Sequence, residues 1–323
     1  MPSLTGKVIP PDPGIIFMGT PQFAIPSLAS LINHQFRILA VVTQPDRPKG
    51  RGRKLSPPPV KMLGLSNSLE VYQPIMTSAE DFLNILKAKG PDLIIVVAFG
   101  QILNKELLNI PRYGVINIHA SLLPKYRGAA PIQWAILNNE KYTGLTIMRM
   151  DEGLDTGPIL YQKRIPIKED ETAGELHDRL AELAGDFLIE SLKRMAVESI
   201  KEIQQDRKMA SYAPKINKSI AEIEWGESSI RISCKMRAFD PWPGAFTAIG
   251  GKFVKMFRPK IVKRGLKNTI PGKIDQAEEF LRVETGDGII EVGELQVPGR
   301  NRMPADDFLR GFTVKQGTII GVR

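Results

Sequence analysis

Apolar positions along this chain follow two different rhythms, and the change falls near residue 200. Continuous apolar runs at residues 14–18, 38–43, 93–98, 115–119 and 145–150 read as buried strands. Between them, residues 22–33, 58–66, 78–89 and 131–139 carry helical spacing. The third of these stops at Gly90-Pro91, a normal helix end. Strand and helix in alternation predict an α/β fold, a Rossmann-like, doubly wound, mainly parallel sheet covered on both faces. A long helix is expected from 173 to about 196, where Thr172 and Glu175 have the spacing of a capping box.

Residues 197–218 are polar and lysine-rich with little periodicity, and the linker is set at 204–218. Beyond it a short helix at 229–238 is followed by short runs at 245–249, 253–262, 272–274, 280–284, 289–295 and 317–322. Gly250-Gly251 and the segment 285–288 supply hairpin turns. The expected organisation is a catalytic domain over 14–203 and a C-terminal OB-like β-barrel domain over 219–323. Residues 1–13 contain Lys7, Asp12 and prolines but no apolar run, so they read as a flexible extension rather than a signal or transit peptide.

Composition narrows the setting. A chain of 323 residues suits two domains. No run approaches the roughly 20 apolar residues of a membrane span. Cys234 is the single cysteine, so an intrachain disulfide and cysteine-based zinc sites are excluded, and nothing argues for an oxidising compartment. The three histidines are far apart and no metal is expected. A cytoplasmic protein without membrane contact is the expectation. The net charge of +9 is uneven: residues 206–323 hold 21 Lys and Arg against 14 Asp and Glu, +7 of the total. Eight basic residues and no acid lie between Lys252 and Lys273. That run is either a solvated face or the footprint of a polyanionic partner.

Candidate chemistry concentrates at residues 115–157. Residues two apart on a strand share a face, so Asn117 and His119 stand side by side. The chain then turns at Ser121 to Pro124, near the carboxyl end of the strand, where open α/β sheets bind ligands. A carboxylate comes from the glycine-rich turn 151–157; spacing alone does not choose between Asp151 and Asp155. Amide, imidazole and carboxylate suit acyl transfer: a donor for a developing oxyanion, a proton carrier that titrates near neutrality, and a group to orient it. Met18-Gly19-Thr20-Pro21 stands where a phosphate loop would, but no dinucleotide or ATP signature is present, and a tight strand–helix turn is the plainer reading. Residues 45–59 form a loop with five positive charges, Arg47, Lys49, Arg51, Arg53 and Lys54, against Asp46. Beside the basic second domain, this loop points to nucleic acid. His34 and His177 read as surface helix residues, and Cys234 as a small buried one.

Asn117-Ile-His119, Ser121-Leu-Leu-Pro124, Arg127-Gly-Ala-Ala-Pro131 and Asp151-Glu-Gly-Leu-Asp155-Thr-Gly157 together resemble the folate-dependent formyltransferase family. Phe17-Met-Gly-Thr-Pro21, Thr43-Gln-Pro-Asp-Arg-Pro48, Gly50-Arg-Gly-Arg-Lys54 and Arg237-Ala-Phe-Asp-Pro-Trp-Pro243 are similar to members that act on tRNA. The resemblance runs from about Gly14 to the C-terminus; Asp240 departs from it, asparagine being usual there. It implies transfer of a formyl group from 10-formyltetrahydrofolate, with no metal, to the methionine amine of charged initiator tRNA, by a monomeric enzyme of translation initiation. Asn117, His119 and Asp155 match the catalytic residues, and Ser121, Leu122, Leu123 and Pro124 the folate-pocket motif. Arg51 and its neighbours match the loop that enters the tRNA acceptor arm. The core alone also permits a smaller amine acceptor or hydrolysis of formyl-folate, and a binder of RNA without activity is the reading from another class.

Overall fold

The computed structural model describes residues 3–49 and 54–321. Arg51 and Arg53 of the basic loop lie outside the described residues, as does Val322 at the end of the last expected strand. Of Lys49 and Lys54 only the backbone is described. The strands are β1 (Ile15–Gly19), β2 (Ile38–Val42), β3 (Arg47–Lys49), β4 (Lys54–Ser56), β5 (Val71–Tyr72), β6 (Leu93–Val97), β7 (Val115–His119), β8 (Tyr142–Arg149), β9 (Ile159–Pro166), β10 (Ala245–Ile249), β11 (Lys252–Arg264), β12 (Ile274–Ala277), β13 (Leu281–Glu284), β14 (Gly288–Gln296) and β15 (Met303–Pro304). The α-helices are α1 (Ile25–Asn33), α2 (Pro59–Ser66), α3 (Glu80–Lys89), α4 (Lys105–Leu108), α5 (Pro131–Leu137), α6 (Ala173–Met195), α7 (Ser229–Ala238) and α8 (Ala305–Gly311). Among the described residues, no helix is long and apolar enough to cross a membrane.

Two compact units emerge. The first comprises residues 1–128, 143–165 and 177–212. Its seven-stranded sheet has the order β5-β2-β1-β6-β7-β8-β9. β5, β2, β1, β6 and β7 run parallel, while β8 returns antiparallel to β7. β1, β6 and β7 are buried at every position, as a sheet covered on both faces requires. Ile16, Met18, Val42, Ile94 and Val96 pack with Phe82, Leu83 and Leu86 of α3. That helix carries Glu80 and Asp81 in its first turn and Lys87 and Lys89 in its last, complementing its dipole, and Gly90 ends it in the left-handed conformation. Because these strands are parallel, their carboxyl ends meet at one edge of the sheet. β7 ends there at His119, and β2 ends there just before the basic loop.

Two segments differ from expectation. β9 alternates half-buried and exposed positions from Tyr161 to Pro166 and forms the sheet's far edge, a period-2 signal that the charges in it obscure. Residues 3–9, expected as a free extension, are packed. Leu4 and Ile9 are buried, and Gly6 N and Ile9 N donate to the carbonyls of Ile200 and Met195 at 3.0 and 2.9 Å. Glu202 accepts from Ser3 Oγ and Leu4 N and pairs with Arg149. Leucine and isoleucine spaced five apart are too sparse to register as an apolar run, yet each fills a site on the unit.

The second unit is discontinuous: residues 129–142, 166–176 and 213–323. Within it, Trp134 of α5 donates through Nε1 to the Pro214 carbonyl at 2.8 Å. β10 to β15 form an antiparallel sheet ordered β10-β11-β14-β13-β12, with β15 on β14. Gly250 and Gly251, both at positive φ, turn β10 into β11 as the sequence predicts. The described pairings trace an open path; closure into a barrel is not among them. The expected last strand contributes a single bridge, Ile319 to Lys273, and α8, unforeseen, precedes it. The thiol of Cys234 is buried, which raises its pKa. Asp240, nearly buried, receives Arg302 as a two-pronged pair at 2.8 and 3.0 Å, and the guanidinium lies 4.0 Å above the Phe257 ring.

Candidate active site

β7 lies between β6 and β8 in the sheet, and its pleat turns Asn117 and His119 to one face. Their exposures are only 8% and 7%, a depth at which polar groups need partners. His119 has one: its Nε2 lies 2.9 Å from the Tyr126 carbonyl oxygen. A carbonyl only accepts, so Nε2 carries a proton and Nδ1 is the nitrogen left for other work. Asn117 is different. Among the described residues its side-chain amide makes no hydrogen bond. A donor without a protein partner that still reaches solvent, at the sheet edge where ligands bind, is open to a ligand.

The turn between β8 and β9 distinguishes the aspartates. Asp151 Oδ1 accepts from Gly153 N at 3.0 Å and from Thr156 Oγ1 at 2.7 Å, so it builds the turn. Asp155 looks outward from the turn: Oδ2 accepts from Gly128 N at 2.8 Å and lies 3.7 Å from His119 Nδ1. That separation is too long for a hydrogen bond but close for a charge partner. The geometry demands two glycines. A Cβ on Gly157 would stand 1.8 Å from the Arg149 carbonyl oxygen, and Gly128 has φ 117°. Asp155 and Tyr126 adopt left-handed conformations themselves, φ 53° and 62°. Each such non-glycine residue costs on the order of 1 kcal/mol or more and persists where its surroundings fix it.

The loop Ser121 to Pro124 is pinned from within. Ser121 is fully buried, and its Oγ donates to the Lys125 carbonyl at 2.6 Å. Thr146 Oγ1 donates to the Ser121 carbonyl at 2.7 Å and accepts from Leu123 N at 3.1 Å. Gln162 Nε2 donates to the Leu123 carbonyl at 2.8 Å. The loop's polar atoms are committed inward, and Leu122 and Pro124 keep partly exposed surfaces. Thr146 and Gln162 were not singled out in the sequence; Thr146 is fully buried within β8, Gln162 lies in β9, and neither belongs to a motif.

The basic loop is rooted firmly. β3 and β4 pair antiparallel, making a hairpin of its two arms. Arg47 Nη2 donates to Gln44 Oε1 at 2.8 Å. Asp46 accepts from Gln73 at 2.7 Å and Lys61 at 2.9 Å, and the Gln73 hydrogen bond, then that of Lys61, lowers its carboxyl pKa. In the turn after β1, Thr20 Oγ1 donates to the Phe99 carbonyl at 2.9 Å, tying strand to strand. His34 bonds the Ser30 carbonyl and His177 pairs with Asp178, both as surface groups. Among the described residues no three His, Cys, Asp or Glu side chains converge as metal ligands.

Amide, imidazole and carboxylate thus stand together at the carboxyl edge of a Rossmann-like sheet, a set of groups whose chemistry suits acyl transfer. The family model described as "Formyl transferase" matches residues 14–192, and "Formyl transferase, C-terminal domain" matches residues 215–313. The chain belongs to the formyl transferase family. It is 45% identical over 308 residues to the methionyl-tRNA formyltransferase of Geobacter sulfurreducens, covering 95% of this chain and 96% of that protein. With the protein of the same name from Clostridioides difficile the identity is 42% over 307 residues, covering 95% and 99%. Among solved structures, the sugar 3N-formyl transferase WlaRD, in the presence of dTDP and 5-N-formyl-THF, shares the fold at a TM-score of 0.66 and 21% identity, covering 90% of this chain and 99% of that one.

Proposed function

We propose that this chain transfers the formyl group of 10-formyltetrahydrofolate to the free amine of methionine on initiator methionyl-tRNA, giving N-formylmethionyl-tRNA for translation initiation in the cytoplasm. The observation that carries the reading is likeness at 42–46% identity across 95% of the chain, both units included, to proteins named methionyl-tRNA formyltransferase. The chemistry of the site supports it independently. The donor set suits a formyl carbonyl: one unpartnered amide, one imidazole and one carboxylate.

Asn117, His119 and Asp155 are the catalytic residues of this proposal. When the amine attacks, charge develops on the formyl oxygen, and the Asn117 amide donates to it. A donor of that kind is worth roughly 10²–10³ in rate. The amine must lose a proton and the folate N10 must gain one. His119, held through Nε2 by Tyr126, offers Nδ1 for that proton, a service worth roughly 10²–10⁴. Asp155 stabilises the charged ring across the 3.7 Å gap. Ser121, Leu122, Leu123 and Pro124 form a wall of the folate pocket, whose apolar face Leu122 and Pro124 supply. Arg47, Lys49, Arg51, Arg53 and Lys54 hold phosphates of the acceptor arm. The enzyme acts as a monomer.

The test is a spectroscopic assay of tetrahydrofolate release with methionyl-tRNA as acceptor. Release that stops in His119→Ala, with tRNA binding kept, is the expected result. Turnover unchanged in that variant contradicts the site assignment, and release supported equally by small amines contradicts the acceptor.

A further inference from the structure

We infer that Gln205 is a positioning residue that sets the Asp155 carboxylate for the reaction. The inference rests on the site assignment proposed above. Residues 197–218 read in the sequence as a polar linker, and nothing in the motifs points to this glutamine. In the structure its side-chain amide is the hub of the turn. Nε2 donates to the carbonyls of Asp155 and Gly157 at 2.9 and 2.7 Å. Oε1 accepts from Nε and Nη2 of Arg127 at 3.1 and 2.7 Å. Carbonyls only accept and guanidinium only donates, so the amide has one possible orientation and all its hydrogen-bonding capacity is used.

The two segments it joins are the two that hold the Asp155 carboxylate. Arg127 is 4% exposed, and the next residue, Gly128, donates its N–H to Asp155 Oδ2 at 2.8 Å. The other segment is the Asp155 backbone, whose left-handed φ of 53° turns the side chain toward His119. Gln205 is held in turn by the antiparallel bridge of Ile203 with Ile159, whose two hydrogen bonds are 2.9 and 2.8 Å. Asp155 is thus gripped at its backbone carbonyl by Gln205 and at its carboxylate through Arg127–Gly128, which Gln205 also grips. Catalytic groups displaced by about 1 Å lose about 100-fold in rate.

Gln205→Glu keeps the length and the Arg127 contact but removes both donors to the turn. Expected is a fall in kcat of about 100-fold with KM for folate and for methionyl-tRNA within about twofold of wild type. A double-mutant cycle with Asp155→Ala separates positioning from general support. If Gln205 acts through Asp155, the double variant is no slower than Asp155→Ala alone in single-turnover assays. Unchanged kcat in Gln205→Glu, or effects that multiply in the double variant, overturns the inference. Should Gln205→Glu not fold, Gln205→Asn, an amide one carbon too short to reach both carbonyls, takes its place with the same expected outcomes. If Asp155→Ala itself keeps wild-type turnover, the site assignment fails and not the Gln205 inference alone.

Discussion

Among the described residues the Asn117 amide makes no hydrogen bond and is not sealed from solvent, so the fold does not depend on it and a ligand can take it up. Asn117→Ala is therefore expected to leave stability to denaturant unchanged or slightly raised, while turnover falls about 100-fold or more. A variant that loses stability and activity together would mean the amide supports the fold. The contrast between aspartates belongs to the same scale. Both were visible in one glycine-rich turn, and their spacing did not separate them. The difference is local hydrogen bonding: Asp151 is consumed by Gly153 and Thr156, while Asp155 is turned outward by a left-handed backbone. Asn117 and His119 were legible because strand periodicity fixes a shared face. The Tyr126 carbonyl that orients His119 was not, since a backbone group leaves no trace in residue type. Gln205 was hidden for a related reason: a glutamine among polar neighbours acquires meaning only from what folds against it.

The capping box at the start of α6 shows an element whose end was readable from spacing and whose energetics were not. Glu175 Oε2 accepts from Thr172 N at 2.9 Å, and Thr172 Oγ1 accepts from Glu175 N at 3.2 Å. Chiefly through the Thr172 N–H, and further through Arg258, the Glu175 carboxyl is lowered from 4.5 to about 2. A depressed folded-state pKa gives stability that is present above about pH 4.5 and lost as pH falls toward 2. Glu175→Gln should then be less stable than wild type at pH 7, by under about 1 kcal/mol because the side chain is half exposed, and the gap should close across that acid range. A gap independent of pH would mean the charged form is not what the cap binds. The N-terminal segment makes a different case. Its two anchoring residues gave no periodic signal, yet Leu4 is 1% exposed. Leu4→Ala should cost about 2–4 kcal/mol in urea unfolding, and a neutral effect would mean that segment is not packed in solution.

For the whole molecule, the order of rhythms announced an α/β unit followed by an antiparallel one, and the sheets have those topologies. What the sequence could not convey is that helix α5 and residues 166–176 pack as part of the second unit, because compact units are defined by contacts between distant segments. Charge is the other property of this scale. The net +9 is carried mostly by residues 206–323 and the hairpin loop, so binding of tRNA should weaken steeply with salt. Replacing Arg51 by serine should reduce the slope of log Kd against log salt by about 1; an unchanged slope would remove that arginine from the interface. Formyl transfer onto charged initiator tRNA is read from the mass of the aminoacyl group after incubation with 10-formyltetrahydrofolate. Expected are N-formylmethionine on initiator methionyl-tRNA, little on elongator methionyl-tRNA, and none with His119→Ala. Methionine that stays unformylated while tRNA binds would contradict that transfer.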